Sequence, residues 1–371
     1  MSELLPTIFG LVLASLHFSI PLVYYAYLRR YVNAPWAPLK LDKQYQPQIS
    51  VIVPTYNESE LIEGRLENLV AQDYPTSRLE ILVIDSGSPD GTATIAEGWL
   101  KRNGNVNAKL IRETARGGKL RAVKRALGAV RSSSVAVVLT DADAYWEPTT
   151  LTEVISFFAD PAIGAVTGSM FYVDDPGVFS EKTYRTYFNA VRVAESKIHS
   201  TPVHNGPLLA IRNDLIRKIG LPDFPGSDDS AFGSFVAFAG FRAIQADRAV
   251  VREYVRGSRL RRRVRRSTCV LLNFHNTRRY AKKKNVYVRS RFENIWWVEW
   301  WFHVINPWLL LASVLLLVGG MLQGSRVASG FLGVGTVLLL WAPYRTWMLQ
   351  QLYLLLGALR TLWTHEVVWN R

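Results

Sequence analysis

Four aspartates in two short clusters carry the strongest chemical signal in this chain: Asp141 and Asp143 in LTDADA, and Asp228 and Asp229 in GSDDSA. The first cluster follows the apolar run from Val135 to Leu139, so its carboxylates should emerge at the C-terminal end of a strand. Alternate residues of an extended segment point the same way, which lets Asp141 and Asp143 face one ligand together. Two hard carboxylates beside a diphosphate suit Mg²⁺ or Mn²⁺, ions that take oxygen ligands from protein and phosphate alike. A bare DxD also fits a solvated turn after a strand. Its weight comes from its surroundings.

Those surroundings are unusual. The 371 residues allow one ordinary domain plus membrane segments, and the apolar residues (49% of the chain) concentrate at its two ends. Cys269 is the only cysteine, which excludes an intrachain disulfide and a cysteine-based zinc site. His199 and His204, five apart, do not share a helical face and read as structural or surface residues. The net charge of +14 is uneven, with fifteen Arg or Lys between Arg252 and Arg291. That run abuts IWWVEWWF and a long apolar segment, so anionic lipid headgroups are a better partner for it than nucleic acid.

Leu4 to Leu28 is nearly continuous apolar sequence, enough for the ~20 residues that cross a bilayer core. Glu3 precedes it and Arg29-Arg30 follow, the reverse of a secretory signal, so it reads as an anchor with a cytoplasmic C-terminal side. Residues 31–47, with Pro35, Pro38 and Pro47, read as a stiff linker. Trp296, Trp297, Trp300 and Trp301 suit an aromatic belt, and Pro307 to Leu322 reads as a span. A further apolar stretch begins near Val327 but is interrupted by Pro343 and Arg345. Residues 327–360 therefore read as one long kinked helix or two shorter elements.

Between the membrane segments, ISVIVP, LEILVID, AKLI and VAVVLTD alternate with helical patterns such as Ser59 to Gln72. Such alternation predicts a mostly parallel sheet with helices on both faces, and ligands bound beyond the strands' C-terminal ends. The loops at those ends hold Pro54, Tyr56, Asn57 and Glu58, then Asp85 in a Gly/Ser/Asp turn, then RGGKLRAV with Lys119 opening a helix. A glycine pair, a lysine and a helix start suit an anionic group.

Taken in order, VPTYNE, VIDSGSPDGT, GGKLRA, DAD and an SDD before AFAGFRAIQADRAVVREY resemble the motifs of membrane-integrated glycosyltransferase family 2 enzymes. These are related to polyprenyl-phosphate glycosyltransferases and to hyaluronan- and cellulose-synthase-type enzymes. No Walker loop or GxGxxG is present, so the kinase and dehydrogenase readings lack their phosphate loops. The resemblance implies an α/β, Rossmann-like GT-A domain over residues 48–256, between an N-terminal transmembrane helix (1–30) and linker (31–47) and a C-terminal side. The latter comprises basic and aromatic interfacial helices (257–302) and a transmembrane region of about two spans (303–371). It further implies a UDP- or GDP-sugar donor, a lipid-linked or glycan acceptor, and a catalytic domain on the cytoplasmic face of the cell membrane, in contact with membrane lipids. Pro54, Tyr56, Glu58 and Lys119 would lie at the nucleotide, and Asp85 near its base or ribose. Asp141 and Asp143, the latter foremost, would hold Mg²⁺ or Mn²⁺ on the diphosphate. Asp229 would be the catalytic base, with Asp228 its acidic neighbour.

One departure stands out. Processive relatives carry QxxRW after the acidic motif, its Trp a platform for the acceptor sugar. In this chain RRVRR places Arg262, Arg265 and Arg266 at those positions. The missing platform disfavours long-polymer synthesis, and three arginines favour a phosphate-bearing lipid or lipid-linked acceptor. A polyprenyl-phosphate glycosyltransferase, a processive synthase and a catalytically silent membrane scaffold stand as alternatives; the intact acidic motifs speak against the last.

Overall fold

The structure, a computed structural model, describes residues 4–172, 179–224, 226, 229–253 and 259–363. It opens with the long apolar helix α1 (Leu4–Val32). The central domain then runs β1 (Ile49–Thr55), α2 (Ile62–Val70), β2 (Leu79–Asp85), α3 (Thr92–Arg102), β3 (Ala108–Arg112), α4 (Lys119–Leu127), β4 (Ala136–Leu139) and β5 (Ala144–Trp146). It continues through α5 (Thr150–Ile155), β6 (Ile163–Tyr172), α6 (Phe179–Ile198), β7 (Leu209–Arg212), α7 (Asn213–Ile219), α8 (Asp229–Phe238) and β8 (Arg242–Glu253). The helices α9 (Arg259–Lys283), α10 (Phe292–Trp300), α11 (Asn306–Leu322), α12 (Arg326–Leu338) and α13 (Ala342–Thr361) follow.

The strands form one sheet in the order β3-β2-β1-β4-β7-β6-β8-β5. The β3-β2-β1-β4 half is wholly parallel. β7 runs antiparallel to both β4 and β6, β8 runs parallel to β6, and β5 caps the edge antiparallel to β8. The apolar runs of β1, β2 and β4 have the simple cause that both faces of the sheet are covered. Val51, Val53, Ile81, Val83 and Val138 pack on one side with Leu66, Trp99, Trp146 and Phe158. Their neighbours Ile52, Leu82, Ile84, Val137 and Leu139 pack on the other with Leu120, Val123, Phe232 and Phe235. Chain order reverses between β1 and β4, and in such sheets the ligand crevice opens beyond the strand ends at that switch.

Residues 33–47 form a strap fixed to the domain instead of a free spacer. Trp36 meets Phe157 edge-on at 4.8 Å and its Nε1 donates to Asp247 at 3.2 Å. Lys40 N donates to Asp160 at 2.9 Å, and Lys43 pairs with Glu153 at 2.5 Å.

Among the described residues, two helical stretches are long and apolar enough to cross a membrane, Leu5–Val32 and Phe292–Leu322. They lie together: Ser313 Oγ donates to the Gly10 carbonyl at 2.8 Å, and Thr7 Oγ1 donates to Ser325 Oγ at 3.1 Å. The second stretch runs through α10 and α11 by way of one π-helical turn, Trp301–Ile305. α12 and α13 meet at 105°, so the stretch near Val327 is a broken pair. The four tryptophans do not act alike. Trp296 is buried in the central domain, 4.9 Å from Phe238 and 4.8 Å from Phe274, while Trp297 is exposed.

Candidate active site

A cavity of about 870 Å³ opens beyond the C-terminal ends of β1 and β4 and continues between the domain and the helices α1, α9, α10 and α13. Pro54, Tyr56 and Glu58 wall it after β1, Ser86 after β2, Lys119 at the start of α4, and Asp141 and Asp143 after β4. Asp229, the first residue of α8, and Glu253, the last of β8, face the same space. The two acidic motifs, far apart in sequence, are therefore neighbours. Asp228 lies outside the described residues.

Lys119 joins them, with its Nζ 2.5 Å from Asp141 Oδ1 and 3.9 Å from Asp229 Oδ2. Burial alone would lower its pKa, but Asp141 and Asp229 outweigh that and hold the ammonium above its ordinary value. Burial pushes the Asp229 carboxyl up; Lys119 opposes the shift and Asp141 adds to it. Asp143 is pushed up to about 7 by burial, then by Asp141, Glu253 and Glu58, with Lys119 again opposing. Asp141, Glu253 and Glu58 thus bear on Asp143 together, an arrangement a bound cation would relieve.

Arg65 stands behind the pair with 2% exposure, its guanidinium 4.2 Å from the Trp146 ring. It donates to Asn68 Oδ1 at 2.6 Å and Thr140 Oγ1 at 2.7 Å. Thr140 in turn donates to the Pro207 carbonyl at 2.8 Å, tying the end of β4 to the loop before β7. That loop brings Gly206 against the site, where a Cβ would stand 2.3 Å from Asp229 Oδ2. Gly206→Ala should therefore displace the Asp229 carboxylate. We expect about 1–3 kcal/mol of destabilisation from the overpacking and at least a roughly tenfold loss of turnover, read by thermal melting and by initial rates on one preparation.

The remaining expected residues divide. Asp85 is 2% exposed, and its carboxylate accepts from Ser88 N at 3.0 Å, Ser88 Oγ at 2.5 Å and Thr55 Oγ1 at 3.3 Å. It shapes the turn after β2, and the neighbouring Ser86 is the residue that reaches the cavity. Arg262, Arg265 and Arg266 all line the cavity from α9. Arg266, however, is bound to Glu253 at 2.6 and 2.9 Å and to the Tyr172 hydroxyl at 2.8 Å. Burial works against its charge, but Glu253 and Tyr172 outweigh it and keep the guanidinium protonated.

Four residues of the site were not singled out from the sequence. Arg65 had a readable signal, a charge at an apolar-stripe position of α2 between Ile62 and Leu66. Glu253 and Gly206 had none, because their roles depend on contacts with Arg266 and Asp229. Arg116, stacked over Tyr56 at 4.0 Å, also faces the cavity. His204 is buried on the cavity wall, and burial lowers its pKa to about 3.

Comparison with known proteins agrees with this architecture. Residues 50–220 match Glycosyl transferase family 2, and residues 136–362, more than half the chain, match Glycosyl transferase family group 2. The solved structure of the mannosyltransferase PcManGT from Pyrobaculum calidifontis, in complex with GDP-Man and Mn²⁺, is similar with a TM-score of 0.84 and 35% identity. That similarity covers 96% of this chain and 99% of the other. Glycosyltransferase AglE of Haloferax volcanii is 29% identical over 174 residues, 47% of this chain and 55% of its own. Hyaluronan synthase of Streptococcus pyogenes is 25% identical over 205 residues, 54% of this chain and 48% of its own. The chain spans about half the length of these two curated relatives. With a family match over more than half its length and a GT-A fold shared almost end to end with a solved mannosyltransferase, this chain belongs to the glycosyltransferase family 2 enzymes.

Proposed function

We propose that the enzyme transfers a sugar, with inversion, from a UDP- or GDP-sugar to a hydroxyl of a lipid-linked or glycan acceptor at the cytoplasmic face of the cell membrane. The observation that carries this reading is the continuity of the cavity: it holds Asp141, Asp143 and Asp229 at one end and is walled by helices long enough to cross a membrane at the other. Pro54, Tyr56 and Glu58 form the wall for the nucleotide, and Lys119 stands between the donor's diphosphate and the base. Asp85, whose carboxylate orders the Ser88 turn, would lie near the base or ribose.

Asp143 and Asp141 would hold Mg²⁺ or Mn²⁺. The carboxylates of Asp141, Glu253 and Glu58 bearing on Asp143 fit a cation, and PcManGT was solved with GDP-Man and Mn²⁺. An ion held there would complete its shell with diphosphate oxygens. When bound, such an ion neutralises charge on the departing nucleoside diphosphate. The acceptor oxygen attacks the anomeric carbon as the bond from that carbon to the phosphate oxygen breaks, and the electron pair leaves with the diphosphate. Asp229 takes the acceptor's proton. Buried beside Lys119, it is held in place for that transfer.

Arg262, Arg265 and Arg266 on the acceptor side favour an acceptor that bears phosphate as well as a hydroxyl. A polyprenyl phosphate attacking directly is the second reading, since an ionised phosphate needs less help from Asp229. The test is a panel of radiolabelled UDP- and GDP-sugars incubated with the full chain in lipid, followed by organic extraction. Label passing from one donor into a lipid- or glycan-sized product is the expected result; label that stays in every nucleotide sugar would contradict the proposal.

The side of the membrane is separately testable. Arg29 and Arg30 at the end of α1 and the basic α9 favour a domain inside the cell. A cysteine introduced at the exposed Lys101 should resist an impermeant thiol reagent outside intact cells and react after lysis. Labelling of intact cells would reverse the assigned orientation.

A further inference from the structure

The far end of the cavity differs in chemistry from the end that holds the aspartates. Helix α13, the second arm of the broken pair, turns Thr346, Trp347, Gln350 and Gln351 into it. The spacing puts Thr346 with Gln350 and Trp347 with Gln351, each four apart and thus on one helix face. Thr346 is 7% exposed and Gln351 4%, yet among the described residues Thr346 Oγ1 and Gln351 Oε1 have no hydrogen-bond partner. Buried polar atoms are nearly always paired, so two orphans on one helix, both lining a large cavity, mark groups that a ligand completes.

The neighbours specify what kind of ligand. Glu299, near the end of α10, lines the same cavity and adds a carboxylate to the amide and hydroxyl oxygens of α13. Such a wall calls for a ligand rich in O–H donors. A bare phosphate, acceptor-only at neutral pH, could take the Thr346 hydroxyl but would leave Gln351 Oε1 unpaired. Trp347 is fixed in place: its Nε1 donates to His17 Nε2 at 2.9 Å, and His17 Nδ1 contacts the Asn306 carbonyl at 3.0 Å. It supplies an immobile aromatic surface suited to the C–H face of a sugar ring.

We propose that this end of the cavity is a saccharide subsite, in which Gln351, Thr346 and Glu299 hydrogen-bond the hydroxyls of a sugar headgroup beside Trp347. The acceptor that enters is then a glycosylated lipid instead of a bare lipid phosphate. This deepens, and rests on, the reading of the cavity as the acceptor's route to Asp229. It also offers a substitute, on a different element, for the aromatic platform missing from RRVRR.

The test reads binding without turnover. The full chain in phosphatidylcholine nanodiscs is titrated with octyl glucoside, octyl mannoside, octyl galactoside and octyl phosphate below their micellar concentrations, following tryptophan fluorescence. At least one octyl glycoside should bind. Gln351→Leu should weaken it about fivefold or more and Thr346→Val about threefold, the range expected for one hydrogen bond, while octyl phosphate binds both variants as it binds the parent. Thermal melting checks each variant's fold, and Thr346→Val carries the comparison alone if Gln351→Leu does not fold. No glycoside binding to the parent, equal glycoside binding by parent and folded variants, or a parallel loss of octyl phosphate binding would overturn the subsite. Because no nucleotide is present, a chain inert toward every nucleotide sugar would defeat the proposed function and leave this result standing.

Discussion

Asp229→Asn should lower the rate of transfer by about 10²–10⁴-fold while leaving nucleotide affinity close to that of the parent. The substitution keeps the shape of the side chain at the start of α8 and removes its capacity to take a proton. Shape matters at this position because Asp229 is 8% exposed, close to Lys119 and pressed by Gly206. Single-turnover rates and nucleotide titrations on one preparation separate the two effects. A variant that loses nucleotide affinity in step with rate would make Asp229 a binding residue. A variant that keeps its rate would favour the polyprenyl phosphate as direct nucleophile.

The second large effect concerns Asp143. Asp143→Ala should abolish transfer in a folded protein, and excess EDTA should silence the parent until Mg²⁺ or Mn²⁺ is restored. The cause is electrostatic. Asp143 sits with Asp141, Glu253 and Glu58 in a buried pocket where Lys119 opposes their combined charge. A donor diphosphate brings still more negative charge into that space. Without a cation the sum is unfavourable, and the leaving group has little to hold the electrons it departs with. Full turnover in EDTA would rule out a required cation. Normal turnover by Asp143→Ala would move its ligands elsewhere.

How far these sites could be read from sequence depended on the range of the interactions. β1, β2 and β4 announced themselves as apolar runs because each is buried on both faces, and DAD and SDD because carboxylates after apolar runs are conspicuous. Their meeting across Lys119 is a fact of three dimensions that order along the chain could only imply. Asp85 stood out by its position after β2, while the Ser88 turn that its carboxylate orders could not be read from it. The RRVRR cluster looked uniform, whereas the fold commits one of its arginines to Glu253. Trp296 carried the same signal as its belt-like neighbours, and only the packing of α10 on Phe238 and Phe274 separates them. The prolines of the strap said nothing of the contacts through Trp36 and Lys40 that bind it to the domain. The contribution of α13 was hidden by Pro343 and Arg345, which read as interruptions of a span and instead mark the start of a helix that lines the cavity.

The proposed mechanism rests on a single displacement, with Asp229 as the one base opposite a leaving diphosphate. Its most direct test is the anomeric configuration of the new glycosidic bond, read by NMR from the product of the unmodified enzyme. A configuration opposite to that of the sugar in the donor is the predicted result. Retention would mean a double displacement or a front-face mechanism, and would contradict the assignment of Asp229 as the base.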